Sequence, residues 1–305
     1  MKFNNIFDDP NQARRLPTGG AGDFRTGLSY LFSAEMELAI SAAAATQRPL
    51  LVTGPAGCGK TSLARNVADR LGWRYLERTI NSRTEISSLL WEVDHVRRLQ
   101  DAQAKMLESK LLSYVRPSVL WQALDAKSAL DPLSLLNDDL QYDQANQLDP
   151  AVVLVDEIDK ADPDLPNNLL EVLGGLRFEV VDSGRYVECK DGIPLIIITS
   201  NDERDLPPAF VRRCISLTLK QPDLEQVGEL HFAGEEETIA AALKLVQSFE
   251  SGSSVIDQAA GPSAAEFLDF IQACKELQVR PETDHWFELA QACMLKGRAQ
   301  GISTS

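Results

Sequence analysis

The octapeptide GPAGCGKT occupies residues 54–61, between a short apolar run, Leu50–Thr53, and an amphipathic segment, Lys60–Leu71, that is followed by Gly72. It matches the pattern GxxxxGK[ST], which requires a strand before it and a helix after it. The apolar run predicts the strand, and the amphipathic segment predicts the helix. The pattern therefore predicts a phosphate-binding loop within an α/β domain.

The residues of this loop suit a nucleotide phosphate. Glycines allow backbone N–H groups to converge on phosphate oxygens, and the N-terminus of the following helix adds a positive dipole. We expect Lys60 to reach the β and γ phosphates and Thr61 to bind Mg²⁺. The alternative, a glycine-rich turn that matches by chance, is disfavoured by the flanking strand and helix. The candidate nucleotide-binding residues here are Gly54, Pro55, Ala56, Gly57, Cys58, Gly59, Lys60, Thr61 and Ser62.

A second motif follows another apolar run, Ala151–Val155, which is typical of a strand at the centre of a parallel sheet. Asp156 and Glu157 come directly after it, where ligands of open α/β sheets bind. We expect Asp156 to hold Mg²⁺ through water and Glu157 to orient and polarise an attacking water. An acidic strand end by itself would be a solvated turn. Together with the phosphate loop, it favours hydrolysis over nucleotide binding alone.

Four more polar residues have positions that suit nucleotide hydrolysis. Asn201 lies at the tip of the apolar run Pro194–Thr199, where an amide can hold water against the γ-phosphate. Arg212 and Arg213 precede another strand, and this placement suits an arginine finger that acts on a neighbouring subunit. Arg280 lies near the start of a predicted helix and could return to the same phosphates. The alternatives are a turn residue for Asn201 and surface charge for the arginines.

The remaining patterns predict the domain organisation. Residues 1–30 indicate an irregular arm, residues 31–221 an α/β domain, and residues 222–305 a helical lid with segments at about 223–232, 235–250, 263–277 and 281–296. Ser263 and Glu266 have capping-box spacing, and Pro281 suits the first position of the last helix. The predicted sheet strands are Leu50–Thr53, Trp73–Ile80, Ala151–Val155, Pro194–Thr199 and Cys214–Leu219.

Two further segments are predicted to elaborate the α/β domain. Residues 84–150 indicate an insertion, which begins with a long charged helix over Thr84–Ser109. Residues 176–190 predict a hairpin around Asp182, Ser183 and Gly184. We expect the tip of this hairpin to face a pore or a partner, because such a hairpin has no core to fill.

Composition argues against several classes of function. The formal charge of −15, from 45 acidic and 30 basic residues, would repel a nucleic-acid backbone, so a protein partner is favoured. Five cysteines without CxxC spacing indicate reduced thiols rather than disulfides or zinc ligands. The most apolar stretch, Leu195–Ile198, is too short to cross a bilayer, and nothing indicates a signal peptide. The sequence therefore predicts a cytoplasmic protein without a membrane partner.

In their order along the chain, the motifs GPAGCGKT, VDEID, TSN, RRC and VRPET resemble those of the MoxR branch of AAA+ ATPases, from about residue 30 to the end. The resemblance implies a five-stranded α/β module with a helical lid. It implies that Lys60 and Thr61 belong to Walker A, Asp156 and Glu157 to Walker B, Asn201 to sensor 1 and Arg280 to sensor 2. Arg213 corresponds best to the arginine finger, with Arg212 in reserve. The interval from Lys60 to Asp156 is long even for this branch.

The resemblance also implies a function. The chain would hydrolyse ATP with Mg²⁺ in a homo-oligomeric ring, of six subunits by analogy, and would remodel or activate a client or effector protein that is encoded nearby. One alternative is an ATP-dependent assembly switch in a signalling or defence complex. A second alternative, a nucleic-acid motor, is disfavoured by the acidic composition.

Overall fold

A computed structural model of the chain describes residue 7 and residues 30–106, 108, 110–136, 149–180, 183–190, 192–252 and 261–294. Of the predicted N-terminal arm it describes only Phe7 and Tyr30. Residues 137–148 of the predicted insertion and Asp182 of the predicted hairpin lie outside the described residues. Within the described ranges, no helix is long and apolar enough to cross a membrane.

The strands are β1 Leu50–Thr53, β2 Arg74–Thr79, β3 Trp91–Val93, β4 Val115–Pro117, β5 Ala151–Asp156, β6 Arg177–Val180, β7 Arg185–Glu188, β8 Leu195–Ser200 and β9 Ile215–Thr218. Five of them form one parallel sheet in the order β2-β5-β8-β1-β9. The central strands β5 and β8 are almost wholly buried, as their unbroken apolar sequences require. The predicted α/β fold with a five-stranded parallel sheet is confirmed.

The helices are α1 Ala34–Thr46, α2 Lys60–Leu71, α3 Ile86–Leu90, α4 His95–Gln103, α5 Val119–Leu124, α6 Ala126–Leu130, α7 Leu165–Gly175, α8 Pro208–Val211, α9 Leu224–His231, α10 Glu236–Gly252, α11 Ala264–Leu277 and α12 Asp284–Cys293. Local signals predicted several of them closely. Ser33 caps α1 by accepting a hydrogen bond from the N–H of Met36, and α2 spans the predicted residues. The sequence patterns did not predict α7.

The chain divides into two compact units. Of the described residues, the first unit contains residue 7, residues 32–53 and those within 64–218, and the second contains residues 30–31, 54–63 and those within 219–294. The first contains the sheet with an apolar core on it, and the second contains α9 to α12 around buried side chains that include Phe267, Phe270 and Trp286.

The long helix predicted over Thr84–Ser109 is wrong. The segment forms α3, then β3, then α4, and β3 pairs antiparallel with β4, so that Trp91 lies opposite Pro117. Asp94 starts α4 afresh by accepting a hydrogen bond from the N–H of Arg97 at 2.9 Å. A strand partner more than twenty residues away therefore interrupts a segment whose local composition favours a helix.

The expectation that the hairpin β6–β7 has no core to fill is also wrong. Phe178, Val180 and Val187 from its two strands are buried, and the ring of Phe178 meets Trp121 of α5 edge-on at 6.0 Å. At the base of the hairpin, Lys190 Nζ lies 2.9 Å from a carboxylate oxygen of the buried Asp125. The hairpin thus packs on the insertion. Whether its tip meets a partner stays a prediction.

In the second unit, Ser263 and Glu266 form the predicted capping box of α11. The predicted start of the last helix is wrong, however. Thr283 is the N-cap of α12 and accepts a hydrogen bond from the N–H of Trp286, whereas Glu282 has a left-handed backbone with φ of +63°. This conformation prevents the helix from extending back to Pro281.

Candidate functional site

The phosphate loop lies in the second unit and requires glycine at three positions. Gly54, Gly57 and Gly59 have φ of +143°, +75° and +93°, which side chains rarely adopt. A Cβ at Gly54 would also lie 2.5 Å from the carbonyl oxygen of Leu219, and one at Gly57 would lie 2.2 Å from Cβ of Ser263. Any added side chain would disrupt the loop, so this backbone has the glycine-dependent form that a phosphate-binding loop needs.

Lys60 is held against this loop. Its side chain is 7% exposed, and its Nζ donates to the carbonyl oxygens of Gly54 at 2.7 Å and Pro55 at 2.9 Å. These weak acceptors are ones that phosphate oxygens would readily replace. Cys58 beside it is buried, and burial raises the pKa of its thiol, which keeps the loop free of an added negative charge. The loop therefore fits a nucleotide polyphosphate.

Tyr30 is a loop neighbour that the sequence did not indicate. Its hydroxyl donates to the carbonyl oxygen of Gly59 at 3.3 Å, and its ring lies 3.3 Å from where a Cβ of Gly59 would be. Burial raises the pKa of this hydroxyl, so it remains a hydrogen-bond donor at neutral pH. An isolated aromatic residue at the end of an irregular segment carries no local signal for such a contact.

At the carboxyl edge of the sheet, the structure brings together three predicted residues of the first unit. Asp156 ends β5, Glu157 follows it, and Asn201 follows the neighbouring β8. The Nδ2 group of Asn201 donates to Oε1 of Glu157 at 3.4 Å. An amide and a carboxylate that lie this close can both hydrogen-bond to one water beside them and act on it.

Glu157 has an unusual backbone for a glutamate. Its φ of +61° and ψ of +47° are left-handed, a conformation that is disfavoured for residues with a side chain. On its other side, Oε2 lies 2.8 Å from Nζ of Lys160. This pairing raises the pKa of Lys160, mainly through the hydrogen bond with Glu157. Backbone strain at a carboxylate of this kind is typical of functional sites.

Two buried residues that the motif analysis did not assign also join this edge. Thr199 of β8 is 1% exposed and bonds to both Asp156 and Glu157. Asp159, which is 3% exposed, bonds to backbone N–H groups of the segment that carries Asn201. Thr199 lies within the motif TSN and Asp159 within VDEID. Only their hydrogen-bond partners on the neighbouring segment distinguish them from ordinary turn residues.

The predicted arginines of the first unit, Arg212 and Arg213, take no part in these contacts. Arg212 and Arg213 follow α8 and are exposed, and in the part of the chain that the structure describes neither guanidinium forms a hydrogen bond or an ion pair. Arg280 belongs to the second unit, is also exposed, and lies four residues before the first residue of α12. Within the first unit, the structure therefore does not place Arg212 or Arg213 in contact with the carboxylates.

A glycine-dependent phosphate loop after β1, together with acidic and amide side chains at the carboxyl edge of a parallel sheet, defines a P-loop nucleotide-binding protein. The sequence of residues 49–214, more than half of the chain, matches the AAA domain family of the dynein-related subfamily. The chain belongs to this family, whose domains typically bind ATP with Mg²⁺.

One solved structure that matches this chain is that of a mutant of RuvB from Thermotoga maritima. The two chains share 15% sequence identity. Their alignment covers 85% of this chain and 68% of the RuvB chain, with a TM-score of 0.44. No curated protein was found to match the sequence of the chain.

Proposed function

We propose that this protein hydrolyses ATP as one subunit of a homo-oligomeric ring of the MoxR type and uses the energy to remodel or activate a partner protein. The observation that supports hydrolysis best is the meeting of Glu157 and Asn201 at the sheet edge, with 3.4 Å between the amide nitrogen and the carboxylate oxygen. A protein that only binds nucleotide needs neither group.

The phosphate loop has the binding role in this proposal. Backbone N–H groups of residues 54–59 hold phosphate oxygens, and Lys60 leaves its carbonyl partners to neutralise the β and γ phosphates. Mg²⁺, when bound, neutralises charge on the same phosphates. Thr61 and Asp156 are the side chains that would hold it, and hydroxyl and carboxylate oxygens are the ligands that this ion prefers.

The sheet edge has the chemical role. Glu157 orients the attacking water and accepts its proton, while Asn201 fixes the position of that water. The salt bridge between Glu157 and Lys160 has to open or shift when Glu157 turns to the water. The chain can therefore bind nucleotide without acting on it until that change occurs.

The exposed arginines support the proposed ring. A finger that acts on a neighbour must extend away from its own subunit, as Arg213 does. We assign Arg213 this role, Arg212 the reserve role, and Arg280 the contact from the lid. Six subunits and a client encoded nearby rest on the resemblance to MoxR proteins. An assembly switch would use the same residues, and a nucleic-acid motor is disfavoured by the charge of −15.

Two variants separate binding from hydrolysis. Lys60→Ala should abolish binding of a fluorescent ATP analogue, because the buried ammonium is lost from the phosphate loop. Glu157→Gln should keep the affinity within about threefold but lower phosphate release by about 10² to 10⁴, the usual contribution of a general base. Glutamine has the shape of glutamate, so folding is matched, and circular dichroism checks it.

An equal loss of nucleotide affinity in both variants would contradict the division of roles. The class of partner is tested separately, by measuring the ATPase rate with DNA and with candidate client proteins. Stimulation by DNA alone would refute the protein-remodelling proposal, and stimulation by a client alone would support it.

A further inference from the structure

Two buried side chains that have no role in the proposed hydrolysis connect two segments of the proposed site by hydrogen bonds. Each side chain lies on one segment and bonds to the other. One segment is residues 156–159, after β5, and the other is residues 199–203, at the end of β8. Thr199 of the second segment bonds to the first, and Asp159 of the first bonds to the second. We call this pair, Thr199 and Asp159, the reciprocal clasp.

The direction of each bond of Thr199 is determined by its partners. The backbone N–H of Glu157 can only donate, so Oγ1 of Thr199 accepts from it, at 2.9 Å. The single hydroxyl proton is then directed to Oδ1 of Asp156. The sheet register supports this geometry, because Val155 lies opposite Ile198 and the next residues are Asp156 and Thr199. One hydroxyl thus holds both acidic residues, including the left-handed backbone of Glu157.

Asp159 acts on the other segment. Its Oδ2 accepts two hydrogen bonds, from the N–H groups of Asn201 and Glu203, each at 3.1 Å. These bonds span Asp202, which has a left-handed backbone with φ of +57°. Two charge-assisted bonds to one oxygen fix the turn that carries the amide of Asn201.

The second oxygen of Asp159 indicates that this carboxylate is not there for stability alone. Oδ1 is buried and has no hydrogen-bond partner in the described parts of the chain. A buried, half-satisfied carboxylate destabilises a fold, so its presence is explained best by what its other oxygen holds. The hydroxyl of Thr199, by comparison, uses both its donor and an acceptor site.

We propose that Thr199 and Asp159 are positioning residues for ATP hydrolysis. They contact no reacting group themselves. Thr199 sets the orientation of Glu157, and Asp159 sets that of Asn201, so that the two side chains meet around one water. This inference rests on the proposed function and adds to it two residues on which turnover should depend although nucleotide binding does not.

The test uses pairs of variants that differ in one group. Thr199→Val keeps the shape of threonine without the hydroxyl, and Thr199→Ser keeps the hydroxyl. Thr199→Val should lower kcat on the order of 10- to 100-fold, as expected for a misplacement of about 1 Å, with the Kd for a fluorescent ATP analogue within about threefold. Thr199→Ser should retain most of the activity. Asp159→Ala and Asp159→Asn form the second pair, because asparagine keeps an acceptor oxygen.

Hydrogen exchange without nucleotide supplies a readout that does not depend on turnover. Thr199→Val should speed exchange at the amide of Glu157, and Asp159→Ala should speed it at Asn201 and Glu203, with little change in melting temperature. In a Glu157→Gln background, Thr199→Val should cause a much smaller additional loss, since it acts through Glu157. A fully additive loss would overturn that route.

The outcomes separate the two proposals. If wild-type protein hydrolyses ATP and both Thr199→Val and Asp159→Ala keep normal kcat, the clasp is purely structural and this inference is wrong, while the proposed function stands. If the wild-type protein binds ATP but does not hydrolyse it under conditions of assembly, both are wrong. Should Thr199→Val fail to fold, the comparison of Asp159→Asn with Asp159→Ala decides, since only the latter should lose turnover.

Discussion

At the carboxyl edge of the sheet, Asp156, Glu157 and Asn201 are held by bonds to their own chain, whereas Arg212 and Arg213 extend into solvent after a helix of one turn. The acidic and amide groups are therefore arranged before any partner arrives. In the described part of this subunit, neither guanidinium forms a hydrogen bond or an ion pair. In the proposed ring, one half of the chemistry would be prepared within the subunit and the other half would come from a neighbour.

The largest effect that tests this contrast is expected from Arg213→Ala. The variant should bind nucleotide normally and hydrolyse it about 10³ to 10⁵ times more slowly, the range for arginine fingers, because the neighbour's transition state loses a cation. Steady-state phosphate release measures it. Arg212→Ala is the matched control, since it removes an adjacent exposed guanidinium and should have a much smaller effect.

Mixing shows whether the arginine acts between subunits. Arg213→Ala subunits keep an intact carboxylate edge, and Glu157→Gln subunits keep an intact arginine. A mixture should therefore regain activity wherever the two complement each other, and wild-type activity per subunit should rise with protein concentration. No recovery beyond the sum of the parts, together with turnover that is independent of concentration, would show that Arg213 is only a surface cation.

The sequence predicted those parts of the molecule whose signals are local. β1, the phosphate loop and α2 follow one another within about twenty residues, and each has its own pattern. The capping box of Ser263 is equally local. These elements formed as expected because the residues that determine them are also the residues that contact each other.

The parts that the sequence did not predict depend on distant partners. β3 exists because β4 pairs with it, and the hairpin β6–β7 has a buried face because Trp121 lies against Phe178. In the site, Asp156 and Glu157 were identifiable from their strand end, but Thr199 and Asp159 act through bonds across more than forty residues. No pattern along the chain distinguishes such a threonine from one that only fills a strand.

A smaller effect is expected from Lys160→Ala, at the carboxyl edge of the sheet beside Glu157. The Lys160 side chain is 41% exposed, and ion pairs open to solvent contribute little, so turnover should change by less than about fivefold. Because this salt bridge has to open or shift before Glu157 acts on water, turnover should not fall. Phosphate release at saturating ATP measures this, and Lys160→Arg should match the wild type. A loss as large as that of Glu157→Gln would make Lys160 the main anchor of the glutamate.

The smallest effect concerns the backbone beneath the exposed arginines. Cys214 follows Arg213 but is buried, its Sγ donates to the carbonyl oxygen of Phe210 at 3.4 Å, and burial raises the pKa of its thiol to about 11. At pH 8 only on the order of one molecule in a thousand would carry the reactive thiolate. Iodoacetamide should therefore leave Cys214 unmodified in the native protein, as mass spectrometry would show.

Cys189, which is partly exposed, serves as the internal control for that labelling. If Cys214 reacts as fast as Cys189, the segment from α8 to β9 opens readily, and the arginines would have no fixed base from which to act. Slow labelling would show that the segment presents flexible side chains from a rigid backbone.

The left-handed backbone at Glu157 bears on how this protein can change during evolution. On the order of 1 kcal/mol opposes most residues with a Cβ there, whereas glycine, and among the residues with a Cβ asparagine, suits this left-handed conformation best. A lineage that kept the folded assembly but no longer needed turnover would meet no structural barrier to losing the glutamate, and could gain heat resistance by doing so. Among descendants of this fold, glycine or asparagine at this position would mark copies that have become inert scaffolds.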